Sequence, residues 1–158
     1  MHWKGHVGTA ILCYAPFYAW LVATASTTLA LVGLLVTIVC APLPDVDTAV
    51  PITHRGPTHT VWFVSGVTAI ASGAGVVLAP LVGLDPAGSL LAVGGAAALS
   101  LTSHVLLDGL TPMGIRPFEP LSSASISLKL VASRNRGANM ALLLIGSAVF
   151  LTVMVGSY

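Results

Sequence analysis

The sequence predicts an all-α fold, a polytopic bundle of about five membrane-crossing helices in a single membrane-embedded domain spanning 1–158, and three observations carry that reading. Hydrophobic residues make up 56% of the 158-residue chain, and the mean hydropathy is +0.96. Charged residues are only 7%, against about a quarter in a soluble domain, so the chain cannot coat a water-facing surface. The apolar residues fall in five runs, each close to the roughly 20 residues a helix needs to cross the hydrocarbon core. Two cysteines, Cys13 and Cys40, both sit inside apolar runs and read as small packing residues, which excludes a secreted disulfide scaffold. A net charge of +1 with no basic stripe gives no reason to expect nucleic acid as a partner.

The predicted spans are 7–24, 26–42, 61–84, 87–107 and 139–157, with cytoplasmic loops at 43–60 and 109–138. Pro16 interrupts the first span, which neighbouring helices tolerate in a membrane. The second is the shortest and stops at Ala41-Pro42-Leu43-Pro44. Gly66, Gly73, Gly75, Gly94 and Gly95 leave little bulk on spans three and four, so backbones there can approach closely. Such Gly-rich spans permit homo-oligomers without requiring them. Lys4, an apolar run and Ala23-Thr24-Ala25 also have the outline of a cleaved secretory signal. Cleavage would discard His2 and His6, and the reading taken is a retained first span.

The charges give the orientation. With five spans, the N-terminus and both long loops share one side, which holds every Lys and Arg: Lys4, Arg55, Arg116, Lys129, Arg134 and Arg136. Asp85 is the one charge on the other side. Basic loops stay cytoplasmic, so the N-terminus is expected inside.

The remaining polar residues gather on that same side. His6 lies at the start of span one, and Asp45 and Asp47 follow span two. His54 and His59 precede span three, and His104 and Asp108 close span four. Ionisable groups at membrane depth are costly and mark paired or functional sites. The i, i+4 spacing of His104 and Asp108 puts them on one helix face. Asp45-Val46-Asp47 lies in a proline-bounded turn, and His54 and His59 flank a Gly-Pro turn. Each piece has a bland alternative: a solvated loop carboxylate pair, a helix-end ion pair, an interfacial histidine (His2 is read as one), or arginines that only set topology. Their convergence in so apolar a chain favours a metal site. Imidazole with carboxylate suits zinc, manganese or iron better than calcium or magnesium. The ligand count permits one or two divalent ions, and a pair of metals activates water against a phosphoryl centre.

The strings Leu43-Pro44-Asp45-Val46-Asp47, His54-Arg55-Gly56-Pro57-Thr58-His59 and His104-Val105-Leu106-Leu107-Asp108, followed by Gly109-Leu110-Thr111-Pro112-Met113-Gly114-Ile115-Arg116-Pro117-Phe118, resemble the motifs of a known family. It is the membrane-bound, predicted metal-dependent hydrolases similar to the LexA-regulated inner-membrane protein YdjM. The resemblance covers about residues 1–122. It implies a multi-pass inner-membrane protein with a hydrolase-like metal centre, distantly similar to zinc-dependent phospholipase C. It departs at Gly5, where members carry Thr before the first histidine.

The function expected is therefore metal-dependent hydrolysis of a phosphoester in a lipid or lipid-linked substrate at the cytoplasmic face. The expected metal ligands are His6, Asp45, Asp47, His59, His104 and Asp108. Arg55 and Arg116 are expected to hold the anionic group, and His54 to act as general acid or as a further ligand. The 109–128 segment, rich in Pro, Gly and Ser, is placed to cover the site. The alternative is a non-catalytic metal-binding membrane protein, with a structural site or as an ion carrier. A carrier would want ligands near the midplane and repeated halves, and neither is visible. A zinc peptidase of the His-Glu-x-x-His type has no matching motif.

Overall fold

A computed structural model describes residues 1–157 as five long helices, with no strand among the described residues. They are α1 (Trp3–Thr24), α2 (Thr27–Cys40), α3 (Val61–Leu78), α4 (Pro86–Gly109) and α5 (Arg136–Gly156). Short 3-10 segments at Leu43–Thr48 and Ala79–Val82 prolong α2 and α3, giving five apolar stretches of membrane-spanning length. The expected spans are thus present. The first begins at Trp3 rather than residue 7, which puts His6 inside the helix.

Helix starts follow local chemistry. Ser26, Thr60, Asp85 and Asn135 each sit in extended backbone, and each side chain accepts from the amide three residues on. These caps satisfy amides that the first helical turn leaves free.

Small residues decide which helix is central. α4 packs against α1, α2 and α3, while α1 packs against α2, α4 and, most extensively, α5. Ala92, Ala96, Ala97 and Ser100 bury one flank of α4. The Phe17 ring lies over Gly95, and Ser72 lies over Gly94. Between α1 and α5, a Cβ on Gly146 would fall on the Gly8 carbonyl, and one on Gly8 would fall on the backbone of Leu142 and Leu143. With lipid as solvent there is little hydrophobic drive between helices, so this close backbone contact supplies the dispersion energy that holds α5. Hydroxyls reinforce the core: Tyr14 donates to the Ala30 carbonyl at 2.7 Å, and Ser100 donates to the Thr37 carbonyl at 2.7 Å. α3 has no buried residue and presents Ile70 and Val77 outward, as a lipid-facing helix should.

The up-and-down path brings the start of α1, the α2–α3 connection, the end of α4 and the start of α5 to one end of the bundle. Gly146→Leu should abolish the monodisperse folded species, or lower its thermal midpoint by several degrees, in detergent size-exclusion and melting measurements. Gly66→Leu, at a position where an added Cβ meets nothing within 4 Å, should leave both unchanged.

Candidate metal centre

Five side chains from four segments converge at that end. His6 comes from the first turns of α1, Asp45 from the 3-10 segment after α2, His59 from Pro57–His59, and His104 and Asp108 from the last turns of α4. The three imidazoles and Asp108 are fully buried, and Asp45 keeps 24% exposure.

The donor atoms stand at ligand spacing. His6 Nε2 is 3.7 Å from Asp45 and 3.5 Å from Asp108. His59 Nε2 is 3.7 Å from Asp45 and 3.3 Å from Asp108. His104 Nε2 is 3.6 Å from Asp45, 3.8 Å from Asp108 and 3.2 Å from His59 Nε2. Ligands held at about 2.0–2.2 Å in a tetrahedral zinc site stand about 3.4 Å apart. Donors from His6, Asp45, His104 and Asp108 all lie within 4.8 Å of one another. A cation already meets this set, since the Met1 amine lies on Asp108 Oδ1. The residues fit a divalent ion.

The hydrogen bonds behind the imidazoles fix which nitrogen faces inward. His104 Nδ1 lies 2.7 Å from the Ala41 carbonyl, which can only accept. The Nδ1 therefore carries the proton, and the Nε2 lone pair faces the cluster. His59 Nδ1 lies 3.0 Å from the Thr58 hydroxyl and 3.4 Å from Asp47. Thr58 spends its own proton on Asp47 at 3.0 Å, so His59 Nδ1 donates and its Nε2 also points inward. Such backing contacts orient metal-bound histidines. His6 differs: its Nε2 reaches the Met1 carbonyl at 3.1 Å, and its Nδ1 is buried without a partner. A metal at Nε2 would shift its proton to Nδ1. The ring stacks on His104 with centroids 3.5 Å apart.

Asp47 occupies a different position from the other expected ligands. It accepts from His54 Nδ1 at 2.8 Å, from the Arg55 amide at 2.8 Å and from Thr58. It thereby organises the turn around the centre. Asp45, Asp47 and His54 also offer donors within 4.8 Å of one another, so Asp45 borders both groups. His54 is exposed and reaches the cluster's open edge.

The two expected anion-binding arginines part company. Arg55, at φ 59° and nearly buried, donates to Asp108 Oδ1 at 2.9 Å and to Thr111 Oγ1 at 2.6 Å. It also reaches the Gly114 carbonyl at 3.2 Å and Ser133 at 3.3 Å. Its guanidinium is engaged with the protein and clamps Asp108 to the 109–138 segment. Arg116 is exposed, 3.7 Å from Glu119. It borders a groove of ≈ 780 Å³ with Thr60, Trp62 and Phe63, and a second of ≈ 300 Å³ with His54 and Arg55. The 109–128 segment folds back on the end of α4, with Ile115 and Ile126 exchanging backbone bonds and Leu128 donating to the Gly109 carbonyl. Gly114, at φ 67°, makes this approach possible, since a Cβ there would meet the Ile126 carbonyl at 2.5 Å.

Sequence reasoning had no role for Thr58, Thr111 or the Ala41 carbonyl, all of which hold the site through hydrogen bonds. Thr58 and Thr111 lay within the family-like strings, but a hydroxyl has no spacing rule comparable to a ligand pair. The Ala41 carbonyl carries no side-chain signal at all.

A family model described as YdjM inner membrane protein matches residues 1–157, which extends the likeness through α5. No curated protein and no solved structure matches the chain.

His59 lies outside the spans, and two opposed influences set its proton affinity. Burial pushes the imidazole down, but hydrogen bonds and charge from Asp108, with Asp45 and Asp47 behind them, hold it above its ordinary value of 6.5. A raised folded pKa stabilises the protein fully below the unfolded value, and that contribution is lost as pH rises through the folded value. Metal-free protein should therefore melt at progressively lower temperature as pH is raised above about 6.5. Zinc should reverse this trend, because metal displaces the same proton. Melting curves with chelator and with zinc across pH 5.5–9 check both signs.

Proposed function

The chain belongs to the YdjM inner membrane protein family, and on that premise we propose that it is a metal-dependent phosphoester hydrolase acting on a lipid or lipid-linked substrate at the cytoplasmic face. It is a multi-pass inner-membrane protein whose buried His and Asp groups could hold a metal ion. The observation that carries the hydrolase reading is a donor set of three histidines and two aspartates beside a partly open His–Asp pair. The contacts behind His59 and His104 leave an Nε2 of each ring facing the cluster, which supports this reading.

In this reading His6, Asp45, His59, His104 and Asp108 hold the ion, and Asp45, the one ligand exposed to the outside, faces substrate. A bound divalent ion would lower the pKa of water toward about 7 and polarise a phosphoryl oxygen. Asp47 accepts the His54 Nδ1 proton and so leaves His54 Nε2 as the group that gives or takes a proton at the ester oxygen. Arg116, on the rim beside His54, meets the phosphate oxygens once it exchanges Glu119 for substrate. Arg55 acts from behind by holding Asp108 in place.

The burial of four of the five donors and the engaged Arg55 favour a second reading, a structural metal that ties the helix ends together. The two readings diverge in one experiment. Full-length protein in lipid, loaded with zinc or manganese, should cleave phospholipid or a generic phosphodiester. Asp108→Ala should lose both metal and turnover. His54→Gln should keep its metal and lose roughly 10²–10⁴-fold in rate. Stoichiometric metal with no turnover on any phosphoester would sink the hydrolase and leave the structural site. Unchanged turnover in Asp108→Ala would overturn both.

A further inference from the structure

A second polar feature at the same end of the bundle belongs to neither the metal centre nor its rim. His2 and Lys4 at the start of α1, and Arg134 and Arg136 at the start of α5, line one cleft of ≈ 570 Å³ with Asn139 and Met140. The segments are far apart in sequence and are tied together by Asn139. Its Oδ1 accepts from the His2 amide at 2.9 Å, while its Nδ2 donates to the Ser133 and Asn135 carbonyls. The cleft is thus a built part of the α1–α5 contact.

Its charge is unbalanced. No acidic side chain lines it, and Lys4, Arg134 and Arg136 have no ion-pair partner among the described residues. The acids are committed elsewhere: Asp45, Asp47 and Asp108 to the centre, Glu119 to Arg116, and Asp85 to its helix cap at the other end. Like charges gathered in one cleft repel, and an anion removes that cost. Apolar side chains accompany these charges, Met140 in the lining and Trp3 beside Lys4. Trp3 is 51% exposed with Lys4 Nζ 5.8 Å from its ring centroid, and Met140 is 39% exposed. Indole at a helix end belongs at the level of lipid headgroups.

We infer that the cleft between the starts of α1 and α5 is a binding site for the phosphate headgroup of an anionic membrane lipid, separate from the metal centre. Lys4, Arg134 and Arg136 hold the phosphate oxygens, and Trp3 and Met140 lie against the first methylenes. A headgroup seated there fastens α5 to α1 on top of the Gly8–Gly146 contact. The site therefore stabilises the bundle, whether or not the metal centre is catalytic.

The test uses the full chain in neutral detergent, titrated with phosphatidylglycerol, with phosphatidylcholine of the same chains and with inorganic phosphate. Bound lipid is read by native mass spectrometry, and stability by thermal midpoint. Phosphatidylglycerol should be retained over phosphatidylcholine and should raise the midpoint, while inorganic phosphate should do little. The triple variant K4Q/R134Q/R136Q should lose roughly 100-fold in apparent affinity for phosphatidylglycerol, about fivefold per charge. Its metal content should be unchanged, and K129Q should behave as wild type. Should the triple variant fail to fold, R134Q alone should show the fivefold loss. Equal retention of the two lipids, an unaffected R134Q, or a K129Q as impaired as R134Q overturns the site. Stabilisation by inorganic phosphate equal to that by phosphatidylglycerol overturns the lipid assignment in favour of a soluble phosphate compound.

Discussion

The buried carboxylate of Asp108 is the constraint around which the rest of the structure is arranged. An ionised carboxylate buried at this depth without partners would cost several kcal/mol or more. Here it faces the Arg55 guanidinium, the Met1 amine and the imidazoles of His6 and His59. Those partners come from the start of the chain and α1 and from the α2–α3 connection, while Asp108 itself closes α4. Satisfying one charge therefore fixes where three chain segments end relative to one another. A buried ion network of this kind adds little net stability over an apolar replacement, but removing one member costs about 3–5 kcal/mol. Its value lies in specifying a single arrangement of the helix ends.

The helices meet that demand with small residues. Alanines and Ser100 let α4 sit among three neighbours, and Gly8 against Gly146 brings α5 onto α1. The bulky apolar side chains face outward on α3 and α5, where lipid receives them at no cost. The division of labour follows from the solvent. Close backbone contact holds the spans, and polar contact holds the ends.

Much of this was legible in the chain because the two signals involved are dense. Five apolar runs and a one-sided charge distribution predict five helices, and the structure has them. His104 and Asp108 share a face because a helix has a fixed period, and Asp45 and His59 follow from the same polar-end argument. The roles of Asp47 and Arg55 were less legible. Ligand and supporting contact draw on the same residue types, and only geometry shows that Asp47 is turned toward His54, the Arg55 amide and Thr58. Arg55 reads in sequence as an anion binder, but its partners Thr111, Gly114 and Ser133 lie more than fifty residues away. The predicted start of span one was late because Lys4 and His6 lower the local hydropathy. Trp3 nevertheless opens the helix, since those side chains find partners at the end of the bundle.

Access decides how such a centre can be used. The imidazoles and Asp108 are sealed from outside, so any molecule reaching the cluster meets Asp45 and His54 first. Thr53, Gly56, Arg116 and Glu119 line both grooves on that edge. One of them carries Trp62 and Phe63 from the start of α3, a lipid-facing helix with no buried residue. On the proposed reading, a ligand with a phosphate at Arg116 and an apolar remainder along Trp62 and Phe63 would match the two characters of this edge. A fully water-soluble ester would leave the aromatic part unmatched. The cleft between α1 and α5 shares no lining residue with these grooves. The same end of the bundle thus presents two distinct faces, one beside the His–Asp cluster through His54 and Arg55 and one closed on Asn139.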